Sequence, residues 1–219
     1  MNETSLAIRT LLEQKLQQLL PNENIEAHHI DQILAYLALL QQWNKVYNLT
    51  AIDDLSEMIY KHVLDSLSIL PYIGETTCLD VGSGAGLPGV LLAIFRPQTR
   101  FALLDTNGKK TRFLTMVKLS LKLDNMMVVQ ARVENYQATE LFAQVTSRAF
   151  SDLTSFTQQT KHLLRSDGQW LAMKGQYPTE ELTQLSEEVA INEVIGLSIP
   201  NEPLWQRHLV IIKKQEKIS

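Results

Sequence analysis

The stretch "LDVGSGAGLPGV", residues 79–90, decides the fold. An apolar run ends, Gly82, Gly84 and Gly86 follow at alternate positions, and Leu-Pro-Gly leads into a helical pattern. Strand, glycine turn and helix in that order make a ligand-binding loop. Glycine takes positive φ without steric cost and leaves room where a Cβ would block an approaching ligand. Pro88 suits the first helical turn, where its missing N–H would be unpaired anyway. The turn alone admits a dinucleotide pyrophosphate, a nucleotide phosphate, or a cofactor without phosphate.

Its neighbours narrow that choice. No Gly-Lys-Ser/Thr follows, so a Walker-type phosphate loop is excluded. Residues 84–89 satisfy GxGxxG, but that register starts too far past the strand. Asp80 precedes Gly82 by two positions, where dinucleotide sites usually carry an apolar residue. A carboxylate there repels pyrophosphate and suits a cationic ligand, such as the amino group or sulfonium of S-adenosylmethionine. It is also compatible with a carboxylate satisfied by nearby backbone N–H groups. Asp105 closes the next strand, at the separation from which an acid reaches ribose hydroxyls.

Working outward, short β-rich runs alternate with helical stretches after about residue 76. Strands are predicted at Cys78–Val81, Phe101–Asp105, Met127–Gln130, Val145–Ala149 and Trp170–Met173. Helices are predicted at Pro88–Phe95, Lys109–Leu121, Leu153–Leu164 and Thr179–Val189. Such alternation is the pattern of βαβ units and a parallel sheet. Two last runs, Glu193–Ile199 and Arg207–Lys213, have no room for a helix between them and should pair antiparallel. The expectation is a mostly parallel seven-stranded α/β sheet, with ligands beyond the carboxyl ends of the strands. Residues 1–70 read as helical: Ser5–Leu20, Ile25–Trp43, and a helix capped by Asp54 and stopped by Pro71. We therefore expect a helical N-terminal extension (1–70) on a catalytic domain (71–219).

Of the 219 residues, 45% are apolar and 20% charged, as in a globular chain with a sizeable core. No apolar run is long enough for a bilayer, and residues 1–20 do not read as a signal peptide. The single Cys78 excludes an internal disulfide framework, and the cytoplasm is the expected compartment. A net charge of −4 weighs against nucleic acid, yet Arg96 to Lys122 holds seven basic residues against one acid. That run reads either as a solvated helix face or as an RNA footprint. The five histidines have no metal-ligand spacing, so no metal is expected.

Seven stretches occur in order: "WNKVYNLTAI" (43–52), "KHVLDSLSIL" (61–70), "LDVGSGAGLPGV", "LLDTNGKKTRFL" (103–114), "QARVENY" (130–136), "SRAF" (147–150) and "MKGQ" (173–176). The set resembles the small-subunit ribosomal RNA guanine-N7 methyltransferases, also called the glucose-inhibited division protein B family. The resemblance implies a Rossmann-like class I S-adenosylmethionine-dependent fold. It also implies methylation of one guanine in the decoding-region loop of 16S rRNA, on the RNA or a small ribosomal subunit precursor; a monomer is expected.

Carried onto this chain, the resemblance places Gly82 and Leu87, with Gly84 and Gly86, on the methionine and ribose side of the cofactor. It places Val133 and Glu134 at the adenine, and Arg148 beside the cofactor where the target base enters. Thr106-Asn107 departs from the family's frequent Asp-Ser, which leaves the ribose contact of Asp105 open. Lys109, Lys110, Arg112 and Lys174 are candidates for RNA phosphates, against a plain solvated surface. Trp43, Tyr47 and Phe150 are aromatic candidates for base stacking, with core packing the default for Trp43.

The chemistry agrees with what is missing. Guanine N7 carries an in-plane lone pair, so no general base is needed and no catalytic residue is assigned. The chain lacks the Asn/Asp-Pro-Pro-aromatic motif of exocyclic-amine enzymes and the Pro-Cys nucleophile of pyrimidine C5 enzymes. Two other readings stay open: a small-molecule methyltransferase with the extension as a lid, and a cofactor-binding regulatory module.

Overall fold

The computed structural model describes residues 3–148, 150 and 152–215. Its strands are β1 (Thr77–Val81), β2 (Arg100–Asp105), β3 (Met126–Gln130), β4 (Phe142–Ser147), β5 (Leu164–Lys174), β6 (Val189–Gly196) and β7 (His208–Lys214). They form one sheet in the order β3-β2-β1-β4-β5-β7-β6. The first five are parallel, and β7 runs antiparallel to both β5 and β6. The order reverses between β1 and β4, so the turns after those two strands flank one crevice, the place where open α/β sheets take ligands.

The helices are α1 (Glu3–Leu19), α2 (Ala27–Tyr47), α3 (Leu55–Met58), α4 (Asp65–Leu67), α5 (Gly89–Phe95), α6 (Gly108–Leu121), α7 (Leu153–Thr160) and α8 (Thr179–Thr183). Asp54 caps α3 as expected, its side chain accepting from the Glu57 N–H. Asn107 caps α6 in the same way through the Lys109 N–H. The apolar stripe of α2 (Ile30, Ile33, Leu37, Leu40) joins Leu12 and Leu16 of α1, α5 and α6 in one core on one face of the sheet. A second core, around Trp170, Phe156 and Val145, fills the other face under α7. No helix of the described residues is long and apolar enough to cross a membrane.

Of the boundaries that differ from the sequence reading, four bear on the architecture. The helix expected over Thr179–Val189 stops at Thr183, because Val189, Ile191 and Val194 are drawn into the edge strand β6 against β7. The helix expected over Leu153–Leu164 stops at Thr160, whose hydroxyl receives the Trp170 indole N–H at 2.7 Å while Leu164 opens β5. The fourth strand ends at Ser147; Ala149 lies outside the described residues. The helix that Asp54 opens is interrupted by a π-helical segment, Ile59–Leu64, before α4. One wide turn shifts the helical register, and π-turns concentrate at functional sites.

Candidate active site at the carboxyl edge of the sheet

The glycine turn leaves β1 with Gly82, Gly84 and Gly86 all at positive φ (+71°, +59° and +96°). Their uses differ. A Cβ on Gly86 would lie 2.4 Å from Val90 Cγ2, so this glycine serves packing. A Cβ on Gly82 would meet nothing within 4 Å, so this one faces open space.

The turn's N–H groups decide among the ligands the sequence left open. Gly82 and Ser83 donate to Leu104 O, and Gly86 and Leu87 to Ser83 O. Gly84 donates to Asp105 Oδ2 at 2.9 Å. A phosphate cradle needs such N–H groups aimed at the ligand; here they are spent inside the protein. At the start of α5, where a pyrophosphate would sit, Asp80 Oδ2 already accepts the Gly89 N–H at 3.0 Å. The expected carboxylate held by backbone is thus present.

Asp80 is fully buried, and its other oxygen, Oδ1, has no partner among the described residues. Burial pushes its carboxyl up to about 7, against the pull of the Gly89 N–H, Ser83 and the Arg148 charge. A cationic group is the complement of a buried, half-satisfied carboxylate. Open space at Gly82, internal N–H groups and an orphaned carboxylate oxygen together fit S-adenosylmethionine, which carries no phosphate and two cationic centres.

Asp105 is almost fully buried. Besides Gly84 it accepts the Asn107 N–H at 2.8 Å, and Lys110 Nζ stands 3.9 Å from it. Its carboxylate thus ties the glycine turn to the start of α6. Val133 and Glu134 lie on a single 3-10 turn just past β3, Val133 buried and Glu134 exposed. Leu87 is buried in the core. The phenol of Tyr36, on α2, reaches across from the extension and donates to Ala85 O at 2.8 Å.

Past the end of β4, Arg148 donates to Asp65 Oδ2 at 3.2 Å and to Lys61 O at 3.1 Å. Arg207 Nε donates to the other oxygen, Oδ1, at 2.8 Å, and its guanidinium stacks 3.7 Å from the Trp205 ring centroid. One buried carboxylate on α4 therefore holds two arginines from different segments. They border a cavity of about 360 Å³ with His62, Met173 and Trp205. His62 lies in the π-helical segment, its Nε2 2.8 Å from Thr50 Oγ1. Burial, and then the Arg148 charge, lower its pKa. A cavity of similar size lies toward the amino ends of the parallel strands, by Lys161 and Lys214, remote from this edge.

The basic run separates into two groups. Arg96 is bound to Glu23 (2.8 and 2.5 Å) and Leu70 O, and Arg100 to Glu140, all structural links. Lys109, Lys110 and Arg112 lie in the first turns of α6, at the carboxyl edge, with Lys109 Nζ 5.9 Å from the Tyr47 ring centroid. Lys174 lies in the cavity wall with its ammonium on Glu181 at 2.7 Å. Trp43 packs on Phe113 and Phe150 on Phe156. Cys78 is buried, which pushes its thiol pKa up and makes it a structural residue. Among the described residues no cluster of metal-ligating side chains occurs. Sequence reasoning gave no role to Tyr36, His62, Asp65, Trp205 or Arg207, although His62 and Asp65 lie in the quoted stretch at residues 61–70.

The family described as rRNA small subunit methyltransferase G matches residues 29–210. A ribosomal RNA small subunit methyltransferase G of Stutzerimonas stutzeri is 53% identical over 184 residues, 83% of this chain and 85% of that protein. One of Pseudomonas aeruginosa is 51% identical over 191 residues, 87% of this chain and 89% of that protein. Among solved structures, a SAM-dependent methyltransferase from Aquifex aeolicus superposes with a TM-score of 0.59 at 13% identity, covering 75% of this chain and 96% of that one. Coclaurine N-methyltransferase gives 0.58 at 12%, covering 97% and 95%. At such identities these structures speak for the fold, the class I methyltransferase sheet.

Proposed function

The chain belongs to the rRNA small subunit methyltransferase G family, and on that premise we propose that it methylates N7 of one guanine in the decoding-region loop of 16S rRNA. It is an S-adenosylmethionine-dependent methyltransferase of small-subunit rRNA. The observation that carries the reading is the pair of arginines that border the cavity, both held on Asp65. When bound, the cofactor supplies an activated methyl group. The chain's own residues need only fix the base and exclude water, and positioning contributes roughly 7–11 kcal/mol in such reactions.

Arg148 and Arg207, held by Asp65, offer donors to a base edge. Guanine presents the acceptor O6 there, where adenine has a donor at N6, and N7 is left free to direct its lone pair at the cofactor methyl. The arrangement therefore favours guanine. Gly82 and Gly84 border the methionine and ribose side, with Gly86 and Leu87 packed behind them, Asp105 borders the ribose hydroxyls, and Val133 and Glu134 border the adenine. Lys109, Lys110 and Arg112 meet RNA phosphates, with Lys174 at the cavity rim. The helical unit 1–70 supports the catalytic unit 71–219. The enzyme acts as a monomer in the cytoplasm, on rRNA or a small-subunit precursor.

The test is incubation of the purified protein with deuteromethyl-labelled cofactor and unmodified small subunits, followed by mass mapping of the rRNA. One labelled 7-methylguanosine in the decoding-region loop is expected. Label at another atom, or none, contradicts the proposal.

A further inference from the structure

Trp205 is a partition as well as a wall. On one side lies the cavity of Arg148, Asp65 and Arg207. On the other lies a second cavity of about 340 Å³, bordered by Glu57, Tyr60, Lys61, Glu202, Leu204 and Trp205. The two share Lys61 and Trp205. Leu204 is 94% exposed although it stands between Pro203 and Trp205 at the rim. A large apolar side chain fully in water, beside an aromatic-walled hollow, has no role in the core.

We propose that this second cavity binds the nucleobase next to the target guanine, stacked between Tyr60, Leu204 and Trp205. The inference rests on the preceding reading of the first cavity as the target-base site. An RNA strand entering that cavity must place its neighbouring nucleotide close by, and the shared Trp205 wall continues the path. Aromatic rings accept any base face, and RNA readers take splayed bases this way. The charges select the base edge over the phosphate. Glu57, though paired with Lys61, and Glu202 repel a phosphate but accept hydrogen bonds from an amino edge. The backbone phosphates are left to the lysines outside.

The experiment uses a decoding-region RNA and the same RNA made abasic at each neighbour of the target guanine in turn. For the wild type, one abasic RNA should raise KM by on the order of tenfold with kcat nearly unchanged, the size of one lost stacking contact. For Leu204→Ala, whose exposed position spares the fold, KM on intact RNA should rise and the abasic penalty should shrink. Glu202→Gln should shift the preference among bases at that neighbour. Equal KM for intact and both abasic RNAs, with the intact RNA methylated, overturns this inference alone. A wild type that methylates the intact site neither in free RNA nor in small subunits overturns the proposed function as well. A Leu204→Ala defect confined to assembled subunits, with no abasic effect, assigns the cavity to a ribosomal protein and overturns the inference too.

Discussion

The phenol of Tyr36, on a helix of the N-terminal extension, donates a 2.8 Å hydrogen bond to the carbonyl of Ala85, the middle of the glycine turn. Tyr36 is fully buried, and burial raises its pKa, so the phenol stays protonated and donating. That bond ties α2 to the backbone of the glycine turn. Tyr36→Phe removes the donor and leaves the carbonyl unpaired at a cost of about 1–3 kcal/mol. Thermal unfolding should show that loss, and calorimetry a severalfold weaker affinity for S-adenosylmethionine. Unchanged affinity would show that the extension does not set the turn.

Two glycines of the same turn should respond in opposite ways. Gly86→Ala drives a methyl into Val90 and Leu114 and should destabilise the fold by about 3 kcal/mol or more. Gly82→Ala meets open space and carries only the positive-φ penalty of about 1–2 kcal/mol. Its main effect should be on cofactor affinity, weakened at least tenfold in a folded protein. Cofactor binding as tight as wild type in Gly82→Ala would remove the cofactor from that space.

Arg148→Ala leaves Asp65 paired with Arg207, so the fold should survive. Turnover should fall by about two orders of magnitude if the arginine holds the base. Asp65→Asn weakens the hold on both arginines and should lower turnover while cofactor affinity stays near wild type. Circular dichroism with single-turnover methylation separates these outcomes. Wild-type turnover in Arg148→Ala would return that arginine to a structural role.

The pH dependence of stability tests Asp80. Its carboxyl is raised from the ordinary 3.8 to about 7 by burial. Between about pH 4 and 7 the folded state therefore binds more protons than the unfolded chain. Stability contributed by this group falls as pH rises through that window and levels off above it. Asp80→Asn keeps an acceptor for Gly89 and removes the titration. Relative to wild type, the mutant should gain stability from pH 4 to 7, on the order of 4 kcal/mol at most. A pH-independent difference would mean that Asp80 has an ordinary pKa.

What the sequence made legible follows from range. The strand-helix alternation, the antiparallel last pair and the position of the glycine turn are local patterns, and the sheet reproduces them. The contacts that shape the site are not local. Tyr36 lies 49 residues from Ala85, and Asp65 lies 83 from Arg148 and 142 from Arg207. Asp65 sits among Val63, Leu64 and Leu67 in a buried segment that also holds His62 and Ser66, and periodicity cannot say what a polar residue there will face. The π-helical turn that sets its direction leaves no trace in an i, i+3, i+4 pattern. The overlong helix at Thr179–Val189 failed for a related reason: β-branched residues at Val189, Ile191 and Val194 answer to an edge strand formed only after β7 arrives.

The central claim, that this chain methylates guanine N7 in the decoding-region loop, is tested most directly by mass mapping of small-subunit rRNA from cells with and without its gene. Cells with the gene should carry a single 7-methylguanosine in that loop, cells without it should lack it, and complementation with the wild type but not with Arg148→Ala should restore it. An unchanged 7-methylguanosine in that loop in cells without the gene would contradict it.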